Sequence, residues 1–241
     1  MLLKLGYLGL TGLMTVLIAL MSKKILSINV LDKKLRNKKL LQIVLGLVLW
    51  QTYQLALGNS GILTDFSLPP KFPFLLVFPA FLFIGIFLTR NRNKDWIMQI
   101  PETWLTYIQS FRILVETLFV YSVSAGVLHP IVTIEGYNFD MIFGISAIIM
   151  WVLVYKIKII NKSVLIYWNY IGLGILASVV FLFITSVYFP NLYNLKEMMP
   201  KKFATAPYIL VAGFLMPLAV FIHILSLIRF SRNKNTSTKN D

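Results

Sequence analysis

The chain has 241 residues, of which 58% are hydrophobic and only 13% are charged, and its net charge is +14 at pH 7. A soluble domain carries about 25% charged residues, so this composition excludes an ordinary globular protein and indicates a polytopic membrane protein. The absence of cysteine excludes disulfides and thiolate metal sites. The basic residues lie between apolar blocks, which fits anionic lipid at a cytoplasmic membrane face and not nucleic acid.

Seven apolar blocks have the length of a transmembrane helix, about 17–25 residues. No cleavage site follows the first block, so we expect an uncleaved span and not a signal peptide. The sequence therefore predicts an all-α integral membrane bundle of seven transmembrane helices, forming one domain over residues 1–230. The polar segment 231–241 is expected to be a disordered cytoplasmic tail. The predicted spans are 2–21, 40–57, 72–89, 103–126, 140–157, 164–187 and 207–228.

The basic residues also predict an orientation. With seven spans, alternate connections place 17 Lys and Arg residues on one side of the membrane and 5 on the other, and the remaining one lies inside a span. Because cytoplasmic loops carry the excess of Lys and Arg, the N-terminus is expected outside and the C-terminus in the cytoplasm. Stripes of small residues such as Gly6, Gly9 and Gly12 permit close helix packing, and an oligomer is compatible with them.

The fourth span carries a polar face made of Gln109, Arg112 and Glu116, which share one side of a helix at spacings of three and four. A charge at membrane depth costs about 2.5–3.5 kcal/mol on insertion scales, so this face must point into the bundle. Two readings stay open. Arg112 and Glu116 neutralise each other and fasten the helix, or they line a polar pocket with a fixed guanidinium.

The outer loop after this span adds Glu135, Asn138 and Asp140, and it contains no basic residue. Asn138 or Asp140 is suited to cap the fifth helix. Alternatively, Asp140 or Glu135 approaches Arg112 and completes a charge network. His129 lies in the same loop, but its spacing to the carboxylates matches no metal-ligand pattern, so we predict no metal site.

A second polar cluster is predicted nearer the cytoplasm. Trp168 and Asn169 lie early in the sixth span and His223 lies late in the seventh, so the three residues have comparable depths. A histidine in a membrane helix commonly bonds neighbouring helices, and a role in proton transfer is the alternative.

Four strings resemble an uncharacterised group of bacterial seven-helix membrane proteins over about residues 95–230. They are Gln-Ser-Phe-Arg-Ile-Leu-Val-Glu (109–116), Glu-Gly-Tyr-Asn-Phe-Asp (135–140), Tyr-Trp-Asn-Tyr-Ile-Gly-Leu (167–173) and the lone His223. The resemblance implies a helical bundle in a bacterial inner membrane, and it implies no activity, substrate or cofactor.

Three functions remain open. The first is binding or transport of a small ligand in an outward-facing pocket at Arg112, Glu116 and residues 138–140, where the guanidinium, a fixed fork of donors, would hold an anionic group of the ligand. The second is an enzyme acting on a lipid or apolar metabolite through His223 and Asn169. The third is a structural or assembly subunit. Motifs for zinc proteases, serine hydrolases and nucleotide binding are absent, and no cofactor is expected.

Overall fold

The protein is built from seven long helical segments. A computed structural model describes residues 1–194 and 198–237. For residues 233–237 it describes the backbone alone. The described residues contain no β-strand. In chain order the segments are α1 (Leu2–Asn29), α2 (Lys33–Ser60), α3 (73–91), α4 (102–124), α5 (140–156), α6 (Val164–Tyr188) and α7 (211–237).

Four of the segments change pitch along their length. π-helical turns open α3 (Pro73–Val77) and α7 (Val211–Leu215) and close α5 (Val152–Lys156). A 3₁₀ turn, Ile108–Ser110, interrupts α4. Within the described residues, five helices are long and apolar enough to cross a membrane, namely α1, α2, α3, α6 and α7. The chain is thus an all-α protein of membrane type.

Successive helices run in opposite directions, so the connections collect at two ends of the bundle. At one end, called the basic end, segments 30–32, 92–101 and 157–163 meet the end of α7, as in the ion pair of Lys162 with Glu102 (2.9 Å). At the other, called the loop end, segments 61–72 and 125–139 meet the described part of 189–210. There Lys202 donates to the Ala125 carbonyl (3.2 Å), and the rings of Phe66 and Phe203 stack at 5.7 Å.

Helix boundaries differ from the predicted spans mainly at the basic end. α1 and α2 each contain 28 residues, about 42 Å at 1.5 Å per residue, so they extend past a hydrocarbon core of about 30 Å. The predicted loop 22–39 is consequently helical except at its centre. α7 continues to Ser237, which lies within the segment 231–241 that was expected to be a disordered tail, and residues 238–241 lie outside the described part.

Two prolines explain how α2 is attached to the bundle. A proline has no N–H, so it leaves the carbonyl four residues earlier without its helical partner. Pro79 frees the carbonyl of Leu75, which accepts a hydrogen bond from the hydroxyl of Tyr53 in α2 (3.0 Å). In the same way, Pro217 leaves the Gly213 carbonyl without its helical partner, and the side chains of Trp50 and Gln54 in α2 donate to it.

The Gly213 carbonyl accepts from Trp50 Nε1 (2.9 Å) and from Gln54 Nε2 (3.0 Å). α2 otherwise buries little, since Gln54 and Gly58 are its only buried residues. Side-chain donors entering proline-freed carbonyls therefore attach this helix to α3 and α7, because in lipid a free carbonyl is costly and a packed apolar face gains little. A further bond, from Gln51 Nε2 to Thr15 Oγ1 (2.6 Å), attaches it to α1.

Buried apolar residues form a large cluster between α1, α3, α4, α6 and α7, and a smaller one between α5 and α6. The smaller cluster includes Phe143 and Trp168, whose rings stack with centroids 4.6 Å apart. These two rings form one wall of the polar site described below.

Candidate functional site

The polar face of α4 is longer than the sequence analysis predicted. Glu102 and Thr106 precede Gln109, Arg112 and Glu116 at spacings of four, three, three and four, so all five lie on one stripe. Thr106, Gln109, Arg112 and Glu116 are buried, and the Glu102 side chain is 11% exposed. Extending the predicted face by two turns would have found the first two residues.

Arg112 pairs with Asp140 at the first turn of α5. Its Nε donates to Asp140 Oδ1 (2.8 Å), its Nη2 donates to the same oxygen, and its guanidinium carbon lies 4.3 Å from the centre of the Phe143 ring. Arg112 is 1% exposed. Of the two predicted carboxylate partners in the loop, Asp140 therefore meets the arginine. The pairing of Arg112 with Glu116 is not formed, because α5 packs along α4 and presents Asp140 at the level of the guanidinium.

His223 joins the two clusters that the sequence analysis treated as separate. Its Nε2 lies 3.2 Å from Arg112 Nη1, and its Nδ1 lies 2.8 Å from Asn169 Oδ1. Arginine has only donors, so Nε2 must accept and the ring proton must be on Nδ1. The hydrogen-bond pattern thus assigns a neutral imidazole, completely buried, with both nitrogens engaged.

The remaining members of the cluster fix these groups in place. Asn169 Nδ2 donates to Ser226 Oγ (3.2 Å), which extends the network to α7. Trp168 Nε1 donates to Ser146 Oγ (3.0 Å). Trp168 and Phe143 each meet the imidazole edge to face. Ser226 is one turn beyond His223 on the same face, and sequence reasoning missed it.

A glycine permits this close packing. A methyl group added at Gly172 of α6 would lie 2.5 Å from His223 Nε2 and 2.5 Å from Phe143 Cζ. Only a residue without Cβ fits against the imidazole at this point.

Asn138 links the loop to α4 and to the first turn of α5. Its Oδ1 accepts from the Asp140 backbone N–H (2.9 Å), its Nδ2 donates to the Val132 carbonyl (3.0 Å), and the same Nδ2 donates to Glu116 Oε1. The N-cap position of α5 is Phe139, which makes no side-chain cap bond, so neither Asn138 nor Asp140 is the cap residue itself. Asn138, one residue earlier, bonds the first backbone N–H of the helix, and the Asp140 carboxylate is available for Arg112.

Two buried oxygens of the stripe have no hydrogen-bond partner among the described residues. They are Gln109 Oε1 and Glu116 Oε2, although Gln109 Nε2 donates to the Ala219 carbonyl (3.1 Å) and Glu116 Oε1 is bonded to Asn138. Both are acceptors, so whatever completes the site must supply hydrogen-bond donors or positive charge.

Two residues of the predicted loop lie apart from the network. Glu135 is exposed, and His129 accepts from the Ile131 backbone N–H (3.2 Å), which caps the turn Pro130–Val132. Across the described ranges, His, Asp and Glu side chains do not gather in a group of three that could hold a metal ion.

An ionic cluster closes the stripe at the basic end. Glu102 accepts from Lys162 (2.9 Å) and from Arg229 (3.4 Å). Arg229 follows Ser226 and His223 on one face of α7, so a polar stripe on α7 faces the one on α4. The two stripes together are called the polar seam.

Comparison of the chain with protein-family models, with curated proteins and with solved structures finds no match. The chemistry of the polar seam must therefore be argued from its own geometry.

Proposed function

We propose that the chain is a seven-span protein of a bacterial inner membrane, with its N-terminus outside and its C-terminus in the cytoplasm. The two ends of the bundle support this topology, because the connections that hold most of the Lys and Arg residues gather at one end. α4 counts as a span because its 23 residues cover about 34 Å and its central arginine, Arg112, is paired with Asp140 inside the bundle. The likeness to bacterial seven-helix proteins belongs to the same proposal.

We further propose that the polar seam binds and transports protons, with Glu116 as the proton-binding group. The observation that carries this proposal is the fully buried Glu116 carboxyl group, which pairs with no Lys or Arg side chain of the described residues. The Asn138 amide and the Ile134 backbone N–H lie against it, but its Oε2 has no hydrogen-bond partner of good geometry. Of the two guanidinium groups in the seam, that of Arg112 is taken by Asp140 and that of Arg229 by Glu102. A carboxyl group in hydrocarbon without a cationic partner is more stable holding a proton than holding a charge. Ionisable groups at membrane depth are characteristic of proton relays.

The geometry favours a proton over the other ligands considered. An anion would have to displace Asp140 from Arg112, since the chain already supplies that anion. A metal cation needs several oxygen ligands, whereas the group bonded to Glu116 is the Asn138 amide nitrogen, which is a donor. A proton requires only the free oxygen.

The position of Arg112 suggests how proton binding is coupled to movement. Arg112 lies four residues before Glu116 on one helix, within reach of its carboxylate, and it pairs with Asp140 instead. When Glu116 loses its proton, the guanidinium has two carboxylates to choose between. A change of partner would release Asp140 and the first turn of α5, and this gives the seam two states that a proton selects.

Proton flux into liposomes tests the proposal. The purified protein is reconstituted with a pH-sensitive dye inside, and a potassium diffusion potential set by valinomycin drives protons inward. We expect wild-type flux above that of protein-free liposomes and loss of that flux in Glu116→Gln. Glu135→Gln, which removes an exposed carboxylate of the neighbouring loop, serves as the control and should conduct normally. Flux equal to that of empty liposomes, or a conducting Glu116→Gln protein, would refute the proposal.

A structural or assembly role is the second candidate, because the contacts of Arg112, Asp140 and His223 lie within the chain. A scaffold requires only that α4, α5, α6 and α7 stay together. Replacing Arg112 and Asp140 with apolar residues should then leave the function intact, whereas the transport proposal requires its loss. The enzymatic alternative gains less support, since both nitrogens of His223 are already bonded and the ring is fully buried.

A further inference from the structure

An apolar cavity of about 110 Å³ lies at the loop end, separate from the polar seam. It is bounded by α1, α3, α4, α6 and α7 and by the connections 61–72, 125–139 and 203–210. Its walls are aromatic and aliphatic, and the rings of Phe119, Phe183 and Phe203 are among them. The hydroxyl groups of Tyr7, Tyr188 and Tyr208 are the only polar side-chain groups among the described lining residues, so the cavity offers water few partners and is suited to hydrocarbon.

The cavity continues as a groove along α6. A second hollow shares Val180 and Ile184 with the cavity and extends along the helix to Leu173. From Tyr188, at the cavity, to Leu173 the helix rises about 22 Å. One leaflet of the hydrocarbon core is about 15 Å deep, half of about 30 Å. The combined hollow is therefore long enough for a complete lipid tail entering from the loop end.

Positive charge surrounds the mouth of this hollow. Lys202 directly precedes Phe203 of the cavity wall, and its bond to the Ala125 carbonyl places it beside the connection that follows α4. Lys201 is exposed next to it. Lys71 precedes the wall residue Phe72 and is paired with Asp65 at 2.5 Å.

Lys71 and Asp65 largely cancel each other. The hydrogen bond from the Lys71 ammonium holds the pKa of the Asp65 carboxyl well below its usual range, so Asp65 stays anionic at neutral pH. Among the described residues named here, the net positive charge at the mouth therefore comes from Lys201 and Lys202. Basic residues at a membrane surface attract anionic headgroups.

We propose that this hollow binds one acyl chain of an anionic phospholipid of the surrounding bilayer, with the phosphate held at Lys201 and Lys202. The lipid belongs to the outer leaflet in the topology proposed above. The site does not depend on proton binding at Glu116, because none of the residues of the polar seam lines the hollow.

Photolabelling with lipids tests the proposal. The full-length protein is reconstituted in nanodiscs that contain phosphatidylglycerol or phosphatidylcholine carrying a diazirine on one acyl chain, and labelled peptides are mapped by mass spectrometry. We expect phosphatidylglycerol to label the peptide around Val180–Tyr188 more strongly than phosphatidylcholine does.

Three variants separate the tail from the headgroup. Val180→Trp fills the groove and should abolish labelling of that peptide. Ile171→Trp places the same ring on an exposed part of α6 outside the groove and should leave labelling unchanged. Lys201→Glu combined with Lys202→Glu should lower phosphatidylglycerol labelling roughly tenfold and leave phosphatidylcholine unaffected.

Size-exclusion profiles confirm that each variant is folded. Equal labelling by the two lipids in the wild-type protein would overturn the assignment of the headgroup site. Unchanged labelling in a folded Val180→Trp protein would overturn the assignment of the groove.

Discussion

Replacing Asp140, the α5 residue that pairs with Arg112 of the polar seam, with asparagine should destabilise the protein strongly. The variant keeps the size of the side chain and an oxygen that accepts from Arg112, but it removes the negative charge. The guanidinium, 1% exposed, then stays in the bundle without a counter-charge. Removing one partner of a buried ion pair costs about 3–5 kcal/mol. Because asparagine preserves an acceptor, we expect the free energy of unfolding to fall by the lower end of this range, about 3 kcal/mol.

The measurement is the free energy of unfolding in mixed micelles, from titration with sodium dodecyl sulfate followed by circular dichroism. Asp95→Asn is the matched control, since Asp95 also pairs with an arginine, Arg232 at 3.0 Å, but its side chain is 89% exposed. An exposed pair contributes about 0–1 kcal/mol, so this variant should unfold almost as the wild type does.

A double variant separates the cost of the unpaired charge from the value of the pair. Arg112→Met combined with Asp140→Leu removes both charges and should unfold within about 1 kcal/mol of the wild type, or be more stable. The reasoning is refuted if the free energy of unfolding falls no further in Asp140→Asn than in Asp95→Asn. It is refuted equally if the double variant is as unstable as the single one.

Two further changes test packing and backbone satisfaction, both by thermal unfolding in detergent. Gly172→Ala should cost about 1–3 kcal/mol because its methyl group overlaps the buried imidazole, whereas Gly174→Ala, with no atom within 4 Å of the new methyl, should be neutral or stabilising by up to about 1 kcal/mol. Trp50→Phe alone leaves the Gly213 carbonyl one donor and should cost about 1 kcal/mol, while adding Gln54→Leu leaves it unbonded and should cost about 1–3 kcal/mol more. Two results would contradict these expectations. One is an equal loss of stability in Gly172→Ala and Gly174→Ala, and the other is a smaller additional loss from Gln54→Leu than from Trp50→Phe alone.

The helices could be predicted from the sequence because lipid requires long apolar blocks, and each of the seven blocks overlaps one helix of the structure. The polar face of α4 was also predictable, since helical spacing fixes which residues share a side. The residue that pairs with Arg112 was not determined in this way. Choosing among Glu116, Glu135 and Asp140 requires the position of α5 against α4, and nothing in residue spacing specifies it.

The same limit applies to the two polar clusters. The positions of Asn169 and His223 within their predicted spans indicated similar depths in the membrane, and the two side chains are hydrogen-bonded in the structure. The rotation of α7 about its axis decides whether His223 also reaches Arg112, and that rotation depends on packing at residues such as Gly172. The π-helical turns were missed for a related reason, because their sequences differ little from those of ordinary apolar helices.

The attachment of α2 has a consequence for biogenesis. A polytopic chain enters the bilayer from its N-terminus, so α2 is inserted long before α7. Trp50 and Gln54 therefore stay without their acceptor, the Gly213 carbonyl, until about 160 further residues have been synthesised. The acceptor of Tyr53, the Leu75 carbonyl, follows only 22 residues later. The N-terminal hairpin can therefore join α3 while synthesis continues, and the arrival of the last helix completes its anchorage. Truncated chains that end before Gly213 should keep the bond of Tyr7 in α1 to Ser122 in α4 but lose this last attachment of α2, which should make α2 more accessible to proteases.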